Sequence, residues 1–266
     1  MGASQLLRLN SEFARLWPAT LPMTDSAPER ATPHTSEHAP THSVSGLGTS
    51  AGVRLRRKRS FADWIAFLLS AILSPYLVIP VGTVGIIYAR TSHSPRQFLA
   101  WVSISLLFST ALPLLYILVG MWRGTISDVH VMERDQRGGP FVVAIVGGFL
   151  GAFLLYLMQA PVSVWGLSII QGVNGLAILA ITNFTKISVH VSVLSATVMG
   201  AIALNPQFSP YWVIWLVPVL MWARTKRGRH SWGQGIAGFA VASSVTSLVL
   251  AGLGLSDRLT WLWQRF

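Results

Sequence analysis

Three short polar segments, set between long apolar runs, hold most of the side chains that could do chemistry. Gly124–Phe141 carries Asp128, His130, Glu133, Arg134, Asp135 and Arg137; Phe184–Ser192 carries Lys186, Ser188 and His190; Trp222–Gly238 carries Arg224, Lys226, Arg227, Arg229, His230 and Gln234. Guanidinium groups fork onto phosphate oxygens, and an imidazole can attack phosphorus or pass a proton. A phosphoester hydrolase that works without a metal needs a nucleophile, a proton donor for the leaving oxygen, cations for the phosphoryl oxygens, and exclusion of bulk water. Two histidines with two or three arginines meet that requirement. Each segment alone also has a plainer reading. The first could be a solvated, self-neutralising loop, Ser188 could simply cap a helix, and Lys226, Arg227 and Arg229 could serve only to set membrane topology.

The elements that must position these residues are set by composition. Only 11% of the 266 residues are charged and 52% are hydrophobic, against roughly 25% charged in a soluble domain. The expected fold is therefore all-α, a polytopic transmembrane helical bundle. Its apolar runs lie at about 62–89, 98–121, 140–159, 163–182, 187–204, 210–223 and 232–254, which predicts six to seven spans of about 20 residues each. Pro75 and Pro80 predict a kink in the first run, and Gly147, Gly148 and Gly151 predict close helix packing.

Positive charge fixes an orientation. With the run Arg54–Arg59 inside, the polar segments after the second, fourth and sixth spans are also inside, and they hold most of the remaining Lys and Arg. An even number of spans separates the three segments, so they share a face. The net charge of +11 is then a membrane-surface property, and no nucleic acid partner is expected. Residues 1–60, rich in Pro, Ser, Thr and His, predict a disordered cytoplasmic tail, with Met23 an alternative start to Met1. Residues 61–256 form the membrane domain and 257–266 a short tail. With no cysteine, thiol chemistry and disulfides are excluded.

The motifs resemble the lipid phosphate phosphatases, the membrane branch of the type-2 phosphatidic acid phosphatase and vanadium haloperoxidase superfamily. That family carries Lys, six residues, Arg-Pro; then Pro-Ser-Gly-His; then Ser-Arg, five residues, His, three residues, Asp. Here the third motif is similar to Ala223-Arg224, five residues, His230, three residues, Gln234, and the second to Ile187-Ser188-Val189-His190. In the first, Arg137 takes the Arg place and His130 stands seven residues earlier in the Lys place.

The resemblance implies His230 as nucleophile, forming a phosphohistidine, and His190 as general acid. It implies Arg137 and Arg224 as phosphoryl clamps, helped by Ser188, with Arg134 or His130 replacing the lysine. Gln234 and Asp135 are the expected orienting residues, no metal or cofactor is implied, and the substrate would be a lipid phosphate or isoprenoid diphosphate. The departures are Gln234 for Asp, Val189 for Gly and Ala223 for Ser. The Lys-Ile-Ser-x-His and Arg-His-x-x-x-Gln variants resemble a prokaryotic branch, implying a plasma-membrane site on the cytoplasmic face. A non-catalytic lipid-binding or transport protein stands as an alternative. A membrane prenyltransferase is a weaker one, because the chain has a single acidic cluster where that chemistry needs two.

Overall fold

The computed structural model describes residues 60–90, 94–129, 131, 133, 135–182, 184–204 and 210–256. The expected disordered tail apart from Ser60, the whole C-terminal tail 257–266, His130 and Arg134 lie outside them. Among the described residues the chain is helical with no strand. In chain order the helices are α1 (Phe61–Ile72), α2 (Pro75–Arg90), α3 (Pro95–Trp122), α4 (Gly138–Leu157), α5 (Val162–Thr182), α6 (Val189–Leu204), α7 (Pro210–Ile214), α8 (Leu216–Lys226) and α9 (Trp232–Gly252). A single 3₁₀ turn, Asp135–Arg137, leads into α4.

Every apolar run of the sequence is helical, but the runs are not equivalent. Four helices, α3, α4, α5 and α9, are long and apolar enough to cross a bilayer, and α1 with α2 makes a fifth if the bent pair is one span. The bend is 50°. It falls just before Pro75, which opens α2, where a prolyl ring disfavours the α conformation at the residue before it. The run at 187–204 yields only the 16 residues of α6, and the run at 210–223 breaks at Trp215 between α7 and α8. Hydrophobicity counts residues without seeing breaks, so the sequence alone reads both as full spans.

Proline also reshapes α3. Pro113 has no N–H to offer the carbonyl of Ser109, and the helix widens into a π turn at Leu107–Ala111. The Nε2 of Gln171, on α5, donates to the Ser109 carbonyl instead, at 3.1 Å. Packing elsewhere follows small residues. A Cβ at Gly148 would lie 2.8 Å from the backbone nitrogen of Gly172, so α4 and α5 touch backbone to backbone, the dispersion-driven contact that joins helices where lipid removes the hydrophobic drive. The Nδ2 of Asn174 donates to Thr246 at 3.0 Å and ties α5 to α9. At the centre α6 is buried around most of its circumference, as an all-round apolar helix must be. Large apolar side chains such as Leu115, Val146, Phe153 and Leu248 face outward instead.

Candidate active site

The third polar segment is shaped by two helix ends. α8 closes with Gly228 at φ +63°, a left-handed conformation that glycine adopts without a Cβ clash. The Gly228 N–H donates to the Thr225 carbonyl at 2.9 Å and the Arg229 N–H to the Arg224 carbonyl at 3.1 Å, the paired bonds of a Schellman cap. This reversal sorts neighbouring cations. Lys226 pairs with Asp63 of α1 at 3.9 Å and Arg227 lies over the ring of Phe67, 5.0 Å from its centre. Arg229, just past the glycine, turns to the cavity described below.

α9 then opens with Ser231 as N-cap. The Ser231 hydroxyl accepts from the Gln234 N–H at 3.3 Å, and the Gln234 Oε1 accepts from the Ser231 N–H at 3.2 Å, a capping box that satisfies two otherwise orphaned donors. The same Oε1 lies 3.1 Å from Nδ1 of His230. Because the backbone N–H of Ser231 identifies that atom as the amide oxygen, it can only accept from His230. Nδ1 therefore carries the imidazole proton and Nε2 keeps its lone pair. Gln234 meets the ring as part of a helix cap.

The second segment is docked onto the third. The Ser188 N–H donates to the Gln234 carbonyl at 3.2 Å, and α9 approaches α6 at Gly238, where a Cβ would sit 2.8 Å from the Ser192 hydroxyl and 3.0 Å from the Ser188 carbonyl. Any larger residue there would pry apart the helix ends that carry His190 and His230. In the first segment, the Arg137 Nε donates to the Val131 carbonyl at 2.9 Å and the Tyr76 hydroxyl to the Val129 carbonyl at 2.6 Å, folding the loop over the start of α2.

The result is one cavity of about 270 Å³. His190, His230, Arg137 and Arg224 all line it, joined by Lys186 and Arg229. Among the described residues no Asp or Glu lines it. Arg224 is 5% exposed and its Nε has no hydrogen-bond partner among the described residues, an arrangement that burial makes expensive unless an anion completes it. The remaining lining is mainly apolar and runs down into the bundle between α2, α5 and α6.

The field of these cations acts on His230. Burial first, and then the nearby charge of Arg224, pushes its imidazole down to about 4; the bond to Gln234 opposes the shift, while Lys186 and Arg137 add to it. At neutral pH the ring is uncharged, the form a nucleophile requires.

Other expected site residues stand elsewhere. Ser188 is fully buried but does not line the cavity, and its hydroxyl has no partner among the described residues. Asp135 opens the 3₁₀ turn and its side chain lies outside the description, as do His130 and Arg134 entirely. Lys186 and Arg229 were legible only as membrane-surface charges, since nothing in the sequence distinguishes an inward from an outward cation on a short loop. Among the described residues no group of three or more His, Asp or Glu side chains comes together. No protein-family model, curated protein or solved structure matches the chain.

Proposed function

We propose that the protein is a membrane-embedded phosphohydrolase of lipid phosphates, similar in mechanism to the lipid phosphate phosphatases. The observation that carries this reading is the two-part cavity. Four cations and two imidazoles gather at one end, with no carboxylate among the described residues there, above a mainly apolar shaft. That shape suits an amphiphile with an anionic head.

In the proposed reaction Nε2 of His230 attacks phosphorus. The P–O bond to the lipid breaks, and His190 donates a proton to the departing alcohol, or to the lipid monophosphate when the substrate is a diphosphate. Arg137 and Arg224, with Lys186 and Arg229, hold the equatorial oxygens as charge moves. Water then attacks the phosphohistidine, His190 takes its proton, and inorganic phosphate leaves with Nε2 of His230 restored. Gln234 holds the attacking tautomer throughout. A neutral amide serves here because the surrounding cations, rather than a carboxylate, stabilise the transferring group.

We further infer six to seven crossings, with α6 and α7–α8 completing the bundle as short or broken spans, and the basic end facing the cytoplasm by the positive-inside rule. The test is phosphate release from a panel of lipid phosphates in EDTA, comparing parent with His230→Ala. The expected loss is on the order of a thousandfold or more, with trapping of a phosphohistidine in the parent alone. Release that survives His230→Ala would refute the covalent route. Tight binding of lipid phosphate without any turnover in the parent would favour a silent lipid-binding relative, the reading that the change from Asp to Gln234 keeps open.

A further inference from the structure

We propose that Ile86 and Leu167, seated over Gly200, form a floor that measures the ligand's tail, so that the site takes a single-chain phosphate amphiphile of medium length. The proposal rests on the lipid phosphate reading for the head and adds the nature of the tail.

The lining runs along α2 from Pro75 to Ile86, about 16 Å at the helical rise of 1.5 Å per residue. Along α5 it ends at Leu167, and along α6 at Thr197, one turn short of Gly200. Ile86 is 2% exposed. Its Cδ1 lies 3.9 Å, and the Cδ2 of Leu167 3.7 Å, from where a Cβ on Gly200 would sit. The two side chains therefore rest on a bare stretch of α6 and close the shaft there.

Polar residues of the shaft turn their donors into its walls. Gln171 bonds the Ser109 carbonyl, Thr197 the Val193 carbonyl, and Asn174 both Thr246 and the Ile170 carbonyl. What they leave to the lumen is largely aliphatic, alongside Ile79, Ile170 and Val193. At about 270 Å³ the cavity lies just under the range of roughly 300–1,000 Å³ typical of drug-sized ligands. That is room for one chain with its phosphate and not for two. The depth matches an extended chain between decyl and tetradecyl.

The test uses the full-length protein in detergent with n-alkyl monophosphates from hexyl to octadecyl and a two-chain phosphatidic acid. Parent, the double variant Ile86→Ala/Leu167→Ala, and Thr83→Leu, which fills the shaft one turn above the floor, are compared by relative kcat/KM. The same series of alkylphosphonates, which cannot be hydrolysed, is compared by calorimetric binding. The parent profile should peak at medium length and fall about tenfold at octadecyl. The double variant should move the peak to longer chains and Thr83→Leu to shorter ones, in both readouts. Turnover that depends on His230 but has the same length profile in all three proteins, or prefers the two-chain lipid, overturns the floor and leaves the hydrolase reading standing. Phosphonate binding whose length optimum moves with the variants, without turnover in the parent, supports the floor and overturns the hydrolase.

Discussion

The two ends of α6 treat charge in opposite ways. At its C-terminus, the Arg90 guanidinium reaches from the end of α2 and donates to the carbonyl of Leu204. A cation there meets the negative end of the helix dipole and satisfies one of the orphan carbonyls. The charge is spent on structure. At the N-terminus of α6, His190 and the preceding Lys186 share a cavity with Arg137, Arg224 and Arg229. There the dipole adds positive potential to charges of the same sign. At one end a cation binds a helix carbonyl, whereas at the other several basic groups gather around one cavity beside the buried Arg224.

The largest expected difference between the ends is functional. Arg224→Met should lower lipid phosphate hydrolysis by on the order of 10²–10³-fold, the usual loss for one preorganised donor to a transition state. Arg224→Lys should recover only part of it, because an ammonium cannot fork onto two oxygens. Arg90→Met should leave turnover unchanged and lower thermal stability instead. Equal losses of turnover at Arg90 and Arg224 would erase the contrast.

A second expectation concerns pH. With its imidazole pushed down to about 4, His230 stays neutral through mild acid, so on the proposed mechanism the acid limb of kcat/KM should lie near that value and not near the ordinary 6.5 of histidine. The sign for stability is fixed by the same shift. Between 6.5 and 4 the unfolded chain binds a proton that the native ring refuses, so the stabilisation is present above 6.5 and is lost as pH falls toward 4. His230→Asn should flatten that part of the thermal-unfolding profile. Gln234→Glu places a carboxylate beside Nδ1 and should move the acid limb of the rate profile upward; a profile that stays in place would show that Gln234 does not act on His230.

The smallest effect belongs to the pair of Asp63 and Lys226. Both side chains are more than a third exposed, and they meet at 3.9 Å. Asp63→Asn should cost no more than about 1 kcal/mol by chemical denaturation and leave phosphate release unaltered. A large loss of turnover would mean that α1 helps shape the cavity.

Much of the helix placement was legible because periodicity and punctuation are local. The bend at Pro75 follows the proline signal, whereas the Ser231–Gln234 capping box and the left-handed Gly228 are local signals that emerged only with the structure. The sharing of one end by the three polar segments follows from counting apolar runs between them. The selection of cations was not legible. Lys226, Arg227 and Arg229 stand within four positions, and only the left-handed glycine between them sends two toward α1 and one toward the cavity. Ser188, in the motif position of a phosphate ligand, packs against α9 because the Ser188 N–H seeks the Gln234 carbonyl across the interface. The breaks inside apolar runs were not legible: the run at 210–223 divides at Trp215, where hydropathy alone shows one continuous segment.

By itself, then, the chain's composition determined that this protein is built of apolar helices, with basic and imidazole side chains held to short segments between them, since burying charge in lipid is prohibitive. Only the tertiary structure decided that Arg137, Lys186, His190, Arg224, Arg229 and His230 line one cavity. It also decided that the space ends at Ile86 and Leu167, and that the proton of His230 sits on Nδ1. These depend on how closely backbones approach at Gly148 and Gly238 and on which way two helix ends turn, quantities set by packing between distant segments and invisible to local sequence.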